Sequence, residues 1–130
     1  MKVLWFFILL FVLSISSGLI DSSYSQSIYF CEGVDDEGEP INESSQFTIP
    51  EDGGFLYVLV KLPNEVDCRS VSFEIYRNDD FDNTIEVDTQ KNWAWFWKKI
   101  NFYKSGEFTI EVYDCNDELL VAGSVDIDTE

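Results

Sequence analysis

The chain has 130 residues, with Lys+Arg 8 against Asp+Glu 25, no histidine, a formal net charge of −17 and an aromatic fraction of 16%. So anionic a protein repels phosphate backbones, which sets nucleic acid aside as a partner. The missing imidazole removes Ser-His-Asp and Cys-His nucleophile systems, histidine zinc sites and histidine acid–base catalysis.

In chain order, Met1-Lys2, the apolar run Val3 to Leu13 and the weakly polar stretch Ser14 to Ile20 have the form of a secretory signal peptide, with Ser23 and Ser25 offering cleavage before Gln26. The expected division is therefore a signal peptide over residues 1–25 and a single β-sandwich domain over 26–130. The alternative is an uncleaved anchor, because Val3 to Ile20 holds no charge over a length near the ~17–25 residues that cross a bilayer. Ser14, Ser16, Ser17 and Gly18 dilute its second half, which favours cleavage. Lipoprotein acylation is set aside, because Phe30, not a small residue, precedes Cys31. Cleavage removes Lys2 and Asp21, one charge of each sign, so the −17 belongs to the exported part.

Ser27 to Gly33 is a β-type run ending in the acidic turn Asp35-Asp36-Glu37-Gly38-Glu39-Pro40. Ser45 to Ile49 is a brief second strand, stopped by Pro50 and the turn Glu51 to Gly54. Phe55 to Leu62 is the most apolar segment past the leader and reads as a central strand buried on both faces. Ser70 to Arg77 alternates Val71, Phe73 and Ile75 against Ser72, Glu74 and Tyr76, the pattern of a half-buried strand. Asn78 to Asn83 reads as a turn cluster, Thr84 to Thr89 alternates again, and Trp93 to Phe102 forms a long aromatic strand with a bulge expected near Lys98-Lys99. Gly106 to Tyr113 turns through Asp114 to Asp117 into Glu118 to Asp128, a hairpin. Seven or eight strands with frequent turns and no helical periodicity predict an all-β, two-sheet antiparallel sandwich.

Export permits disulfides, and Cys31, Cys68 and Cys115 allow three pairings. Cys68 lies at the start of one predicted strand and Cys115 at the end of another, so antiparallel neighbours would bring them together. Both cysteines sit at the parity opposite to Val71, Phe73, Ile75 and Phe108, Ile110, Val112, which places the thiols on the outer face. Cys68–Cys115 is therefore the favoured pair, with Cys31 a small semi-buried free thiol.

The stretch Phe102-Tyr-Lys-Ser-Gly106-Glu-Phe108-Thr-Ile-Glu-Val112-Tyr-Asp114, followed by a short turn and Leu119-Leu120-Val121, resembles the last hairpin of bacterial extracytoplasmic immunoglobulin-like domains. The resemblance covers about a quarter of the domain and implies an immunoglobulin-like sandwich without implying an activity. Phe108 stands where such domains often carry tyrosine, so the hydroxyl of a tyrosine corner is missing.

Trp93-Ala-Trp95-Phe-Trp97-Lys98-Lys99 is the most unusual local feature. On a strand the three tryptophans share one face and Ala94, Phe96 and Lys98 the other. The rings either fill the space between the sheets or form an exposed platform, with Phe96 supplying the core contact instead. A platform would stack on sugar rings or anchor a protein, tryptophan being a preferred hot-spot residue. Lys91, Lys98, Lys99 and Lys104 concentrate most of the domain's cations in this one segment, either protecting the strand edge or docking an acidic surface, including a second copy of the chain.

Acidic clusters at Asp35-Asp36-Glu37-Glu39, Asp79-Asp80-Asp82 and Asp126-Asp128-Glu130 do not fit the spaced calcium loop, and a paired-carboxylate glycosidase would need a cleft that so small a sandwich rarely has. Asn42-Glu43-Ser44 is a glycosylation sequon wherever the pathway is eukaryotic. No catalytic, metal or cofactor motif is present. The expectation is a secreted or periplasmic, non-catalytic domain that binds a protein through Trp93, Trp95, Trp97, Lys98 and Lys99, with carbohydrate binding by the same tryptophans as the first alternative. A structural or calcium-stabilised envelope domain is the second.

Overall fold

The structure is a computed structural model that describes residues 27–130; the expected signal peptide lies outside the described residues. Ten strands and no helix make up this part: β1 (Ser27–Cys31), β2 (Gly33–Val34), β3 (Pro40–Ile41), β4 (Gln46–Ile49), β5 (Gly54–Lys61), β6 (Ser70–Arg77), β7 (Asp80–Asp88), β8 (Trp95–Phe102), β9 (Gly106–Tyr113) and β10 (Leu119–Thr129). They form a three-stranded sheet in the order β1-β5-β8, a five-stranded sheet in the order β4-β10-β9-β6-β7, and the small pair β2-β3.

Strict alternation along β6 and β9 drives the packing. Val71, Phe73 and Ile75 are buried on one face of β6, and Phe108, Ile110 and Val112 on the same face of β9. They meet Leu56, Val58, Val60, Phe96 and Ile100 of the three-stranded sheet in one continuous core. Phe102 and Phe108 bridge the sheets edge to face, with ring centroids 4.9 Å apart. Where β1 crosses β10 the sheets approach so closely that a Cβ on Gly123 would come within 2.5 Å of Ile28 Cγ2. Any larger residue there must displace the Ile28 side chain.

Two hairpin turns share one device. Asp35 Oδ1 accepts the backbone N–H groups of Glu37 and Glu39, each at 2.9 Å, and Gly38 takes a positive φ of 82°. Asp114 Oδ1 accepts those of Asn116 and Glu118 at 2.8 and 3.0 Å, and Asp117 takes a φ of 64°. Such aspartate-closed turns use the carboxylate as an internal cap, so these acidic residues belong to chain reversal.

The sheets differ from the sequence-based expectation in several ways. The sandwich is not antiparallel throughout, because β4 runs parallel to β10, pairing Gln46 with Asp126 and Ile49 with Thr129. The turn after β6 is two residues, not six: Asn78 and Asp79 both adopt positive φ, a tight hairpin turn that lets β7 begin at Asp80. No bulge interrupts β8 at Lys98-Lys99, since its register with β5 runs unbroken from Lys61↔Trp95 to Gly54↔Phe102. The irregularities fall instead at Ile75/Tyr76 and Leu119/Val121.

Cys68 and Cys115 form a disulfide with a Cα–Cα distance of 5.8 Å, at the end of the sheet where Ser72 faces Tyr113 across β6 and β9. Cys68 is buried against the core rather than lying outside it, because it precedes β6 and turns inward while Thr89 Oγ1 donates to its carbonyl. Cys31 is free and fully buried. Burial pushes its thiol pKa up, and the thiol donates to the Tyr57 carbonyl at 3.5 Å. The Cys68–Cys115 disulfide is consistent with an oxidising compartment. No helix among the described residues is long and apolar enough to cross a membrane.

Candidate interaction surface

The outer face of the three-stranded sheet is the side away from the core. On it stand Tyr29 and Cys31 from β1, Phe55, Tyr57, Leu59 and Lys61 from β5, and Trp95, Trp97, Lys99 and Asn101 from β8, placed side by side by the register. Two parts of this face behave differently.

At one end the face is covered. Leu59 and Cys31 are fully buried yet lie on the outer side, outside the main core, because the β2-β3 pair lies against β1 and β5. The acidic turn is seated there by Trp95, whose ring packs so tightly on Gly38 that a Cβ would stand 2.7 Å from its Cδ2 and Cε2. Lys61 Nζ reaches Glu39 Oε2 at 2.6 Å beside it. Trp95 is thus occupied in holding a turn.

At the other end the face is open. Trp97 is 45% exposed and leans on Tyr57 with centroids 5.1 Å apart and planes at 59°. Tyr57 meets Phe55 edge-on at 6.1 Å, and Lys99 Nζ sits 4.0 Å from the centroid of the exposed Phe55 ring. A lysine over an aromatic face is held by the ring quadrupole. The result is a contiguous strip of three partly exposed rings capped by a cation.

The five residues named from the sequence therefore separate. Phe96 enters the core at 3% exposed, which frees the neighbouring tryptophans for the other face. Trp97 and Lys99 share the open strip, and Trp95 lies under the turn. Trp93 precedes β8 and is 40% exposed; with Lys98 and parts of Trp95 and Trp97 it lines a groove of about 810 Å³ between β8 and β7, which Lys99 does not reach. Phe55 and Tyr57 belong to the strip and were missed, because the apolar run of β5 reads as buried on both faces. Parity held the missing signal: aromatic Phe55 and Tyr57 occupy odd positions, and aliphatic Leu56, Val58 and Val60 even ones.

The five-stranded sheet presents a contrasting outer face. Glu74 lies directly opposite Glu111, and Tyr76 and Tyr113 donate to them, Tyr113 Oη to Glu111 Oε1 at 2.8 Å. That hydrogen bond, ahead of desolvation and the nearby carboxylates, pushes the Tyr113 phenol up to about 12. Because the folded value is raised, the protonated phenol's contribution is fully present below the unfolded value near ~10 and is lost as pH rises through about 12. In alkaline titration followed by phenolate absorbance, Tyr113→Phe should remove the latest native ionisation; an unchanged late phase would contradict this assignment.

Among the described residues no group of three or more His, Cys, Asp or Glu side chains is arranged to hold a metal ion, and Asp35 and Asp114 spend a carboxylate oxygen on backbone N–H groups. The Asn42 side chain is exposed and donates to Glu32 Oε1 at 2.9 Å. Comparison with models of known protein families finds none that matches the chain, and comparison with curated proteins finds no match either.

Proposed function

We propose that the domain is an exported, immunoglobulin-like sandwich that acts by binding a protein, without catalysis, through the strip formed by Trp97, Tyr57, Phe55 and Lys99. Three aromatic rings left open to water beside an already satisfied core carry this reading: their exposure is not needed for packing, and aromatic residues desolvated at the centre of a contact supply most of the binding free energy. The mutual tilt of the rings favours a protein over a sugar, because planes inclined by 59° and 76° present edges and notches rather than one flat stacking surface.

The strand order supports the immunoglobulin-like reading. The run β10-β9-β6-β7 matches the G-F-C-C′ sheet of variable-type domains, and the neighbours β5 and β8 match B and E. The chain departs from that pattern in its disulfide, which joins the region before β6 to the turn after β9 within one sheet, and in carrying Phe73 rather than tryptophan at the centre of β6. Export is supported by the apolar leader and by the disulfide.

Photo-cross-linking tests the strip. A photoreactive residue at position 97 should give a protein adduct in the producing cells that the same residue at position 74, on the opposite sheet, does not. The purified adduct partner should then bind Tyr57→Ala more weakly than the parent. Equal adducts from both positions, or retention on a polysaccharide that Trp97→Ala abolishes, would overturn the protein-binding reading.

A further inference from the structure

Each sheet ends on the same side of the sandwich in an unpaired strand: β8 for the three-stranded sheet and β7 for the five-stranded one. Two grooves lie between these strands. One, of about 810 Å³, brings Glu86, Val87 and Asp88 beside residues 92–98; the other, of about 390 Å³, brings Asp82, Asn83 and Ile85 beside residues 99–104. β7 and β8 therefore run in opposite directions along one open side, with Asp82 and Lys104 lining the same groove. Both edges keep free backbone N–H and C=O groups, the usual template for adding a strand.

The two edges carry opposite charge. β7 presents Asp80, Asp82, Glu86 and Asp88, while Lys98 and Lys99 lie on β8, Lys98 on the inward side with Phe96 and Lys99 on the outward side that Glu86 and Asp88 share, and Lys104 lies just beyond it. Among the described residues, only Lys61 has a carboxylate oxygen within 4.0 Å, so these three lysines are without ion-pair partners in a chain of net charge −17. Pairing β8 with β8 of another copy would set lysine against lysine, and pairing β7 with β7 would set carboxylate against carboxylate. Only β8 against β7 is complementary.

We propose that this open side is the interface of a two-fold dimer, in which β8 of each copy pairs antiparallel with β7 of the other. A two-fold axis parallel to the strands satisfies every element of the geometry. It keeps residues at their own height, so the end of one copy that carries Lys104 meets the end of the other that carries Asp82. It makes the two strands antiparallel, since β7 and β8 already run oppositely within one copy. It also turns the outer face of one sheet to the same side as the outer face of the sheet it joins, so inward Ile85 and Val87 continue the inward Phe96 and Ile100. Each three-stranded sheet then extends into the partner's five-stranded sheet, giving two continuous sheets and an isologous contact used twice. The net charges of the two copies repel, but at physiological ionic strength the screening length is about 8 Å, which weakens that long-range term more than the contacts at the joint.

The dimer goes beyond the proposed partner strip, because Phe55 and Tyr57 lie on β5 and stay uncovered in it; an adduct of position 97 with a second copy of the chain reports the dimer, and one with a different protein reports the strip, so either reading can fail alone. Sedimentation of the chain at physiological ionic strength tests it. The parent should form a concentration-dependent dimer, and Lys104→Glu or Asp82→Lys alone should weaken it by roughly tenfold, the loss of a complementary pair at two symmetric sites. The double variant should recover most of that loss, which a general change in charge or folding would not produce. A parent that stays monomeric up to ~1 mM, single variants that dimerise like the parent, or a double variant that fails to recover would each overturn the proposal.

Discussion

Phe96→Ala is expected to destabilise the domain by about 3–5 kcal/mol, whereas Trp97→Ala, one residue along, should cost about 1 kcal/mol. The difference lies in which side of β8 each ring occupies. Phe96 is 3% exposed and packs with Val60 and the residues of the facing sheet, so its removal opens a cavity between two sheets that cannot collapse onto each other. Trp97 loses chiefly its contact with Tyr57 and leaves no internal void. Urea unfolding of the two variants checks the difference directly. Comparable losses at both positions would mean that Trp97 is packing material, and the open strip would then have no claim to be kept for binding.

Cys68→Ala combined with Cys115→Ala should lower stability by about 4 kcal/mol, the chain-entropy value for a link spanning a sequence separation of 47. In a domain of about 100 residues that corresponds to a fall in Tm of roughly 15–30 °C. The bond ties the segment entering β6 to the turn leaving β9; Thr89 also anchors that segment, through its backbone N–H to the Arg69 carbonyl and its hydroxyl to the Cys68 carbonyl, but neither contact reaches β9. Cys31 offers an internal comparison: it is already free and fully buried, so it should react with a thiol reagent only after unfolding, before and after the double substitution. Calorimetry showing a loss below about 1 kcal/mol would mean that the ends of β6 and β9 are held together without the bond.

Strand identity and the disulfide were legible in the sequence for the same reason. Alternation along β6 and β9 fixes which side chains face inward, and strand ends at Cys68 and Cys115 follow from where that alternation starts and stops. The start of β7 was not legible, because Asn78-Asp79 makes a two-residue turn only when both residues adopt positive φ, which composition does not announce when no glycine is present. Trp95 shows a different limit. Its alternation with Trp97 places both rings on one face correctly, yet a small hairpin from a distant part of the chain settles on one of them and leaves the other open. Coverage of a sheet's outer face is a tertiary property, and the glycine that permits it, Gly38, reads in sequence only as a turn residue.

The parallel pairing of β4 with β10 joins residues 46–49 to residues 126–129, so the border of the larger sheet is assembled from segments about eighty residues apart. A chain emerging from its N-terminal end carries β4 as an orphan until residues 126–129, about eighty residues later, have appeared. Closing so long a loop comes late and slowly in folding. Until then β4 and the edge of β9 that β10 will occupy keep unpaired backbone N–H and C=O groups. The same topology couples border and core: removing residues 126–130 would take away the pairing partner of β4 together with the fully buried Ile127, so the larger sheet would lose its border and part of its packing at once.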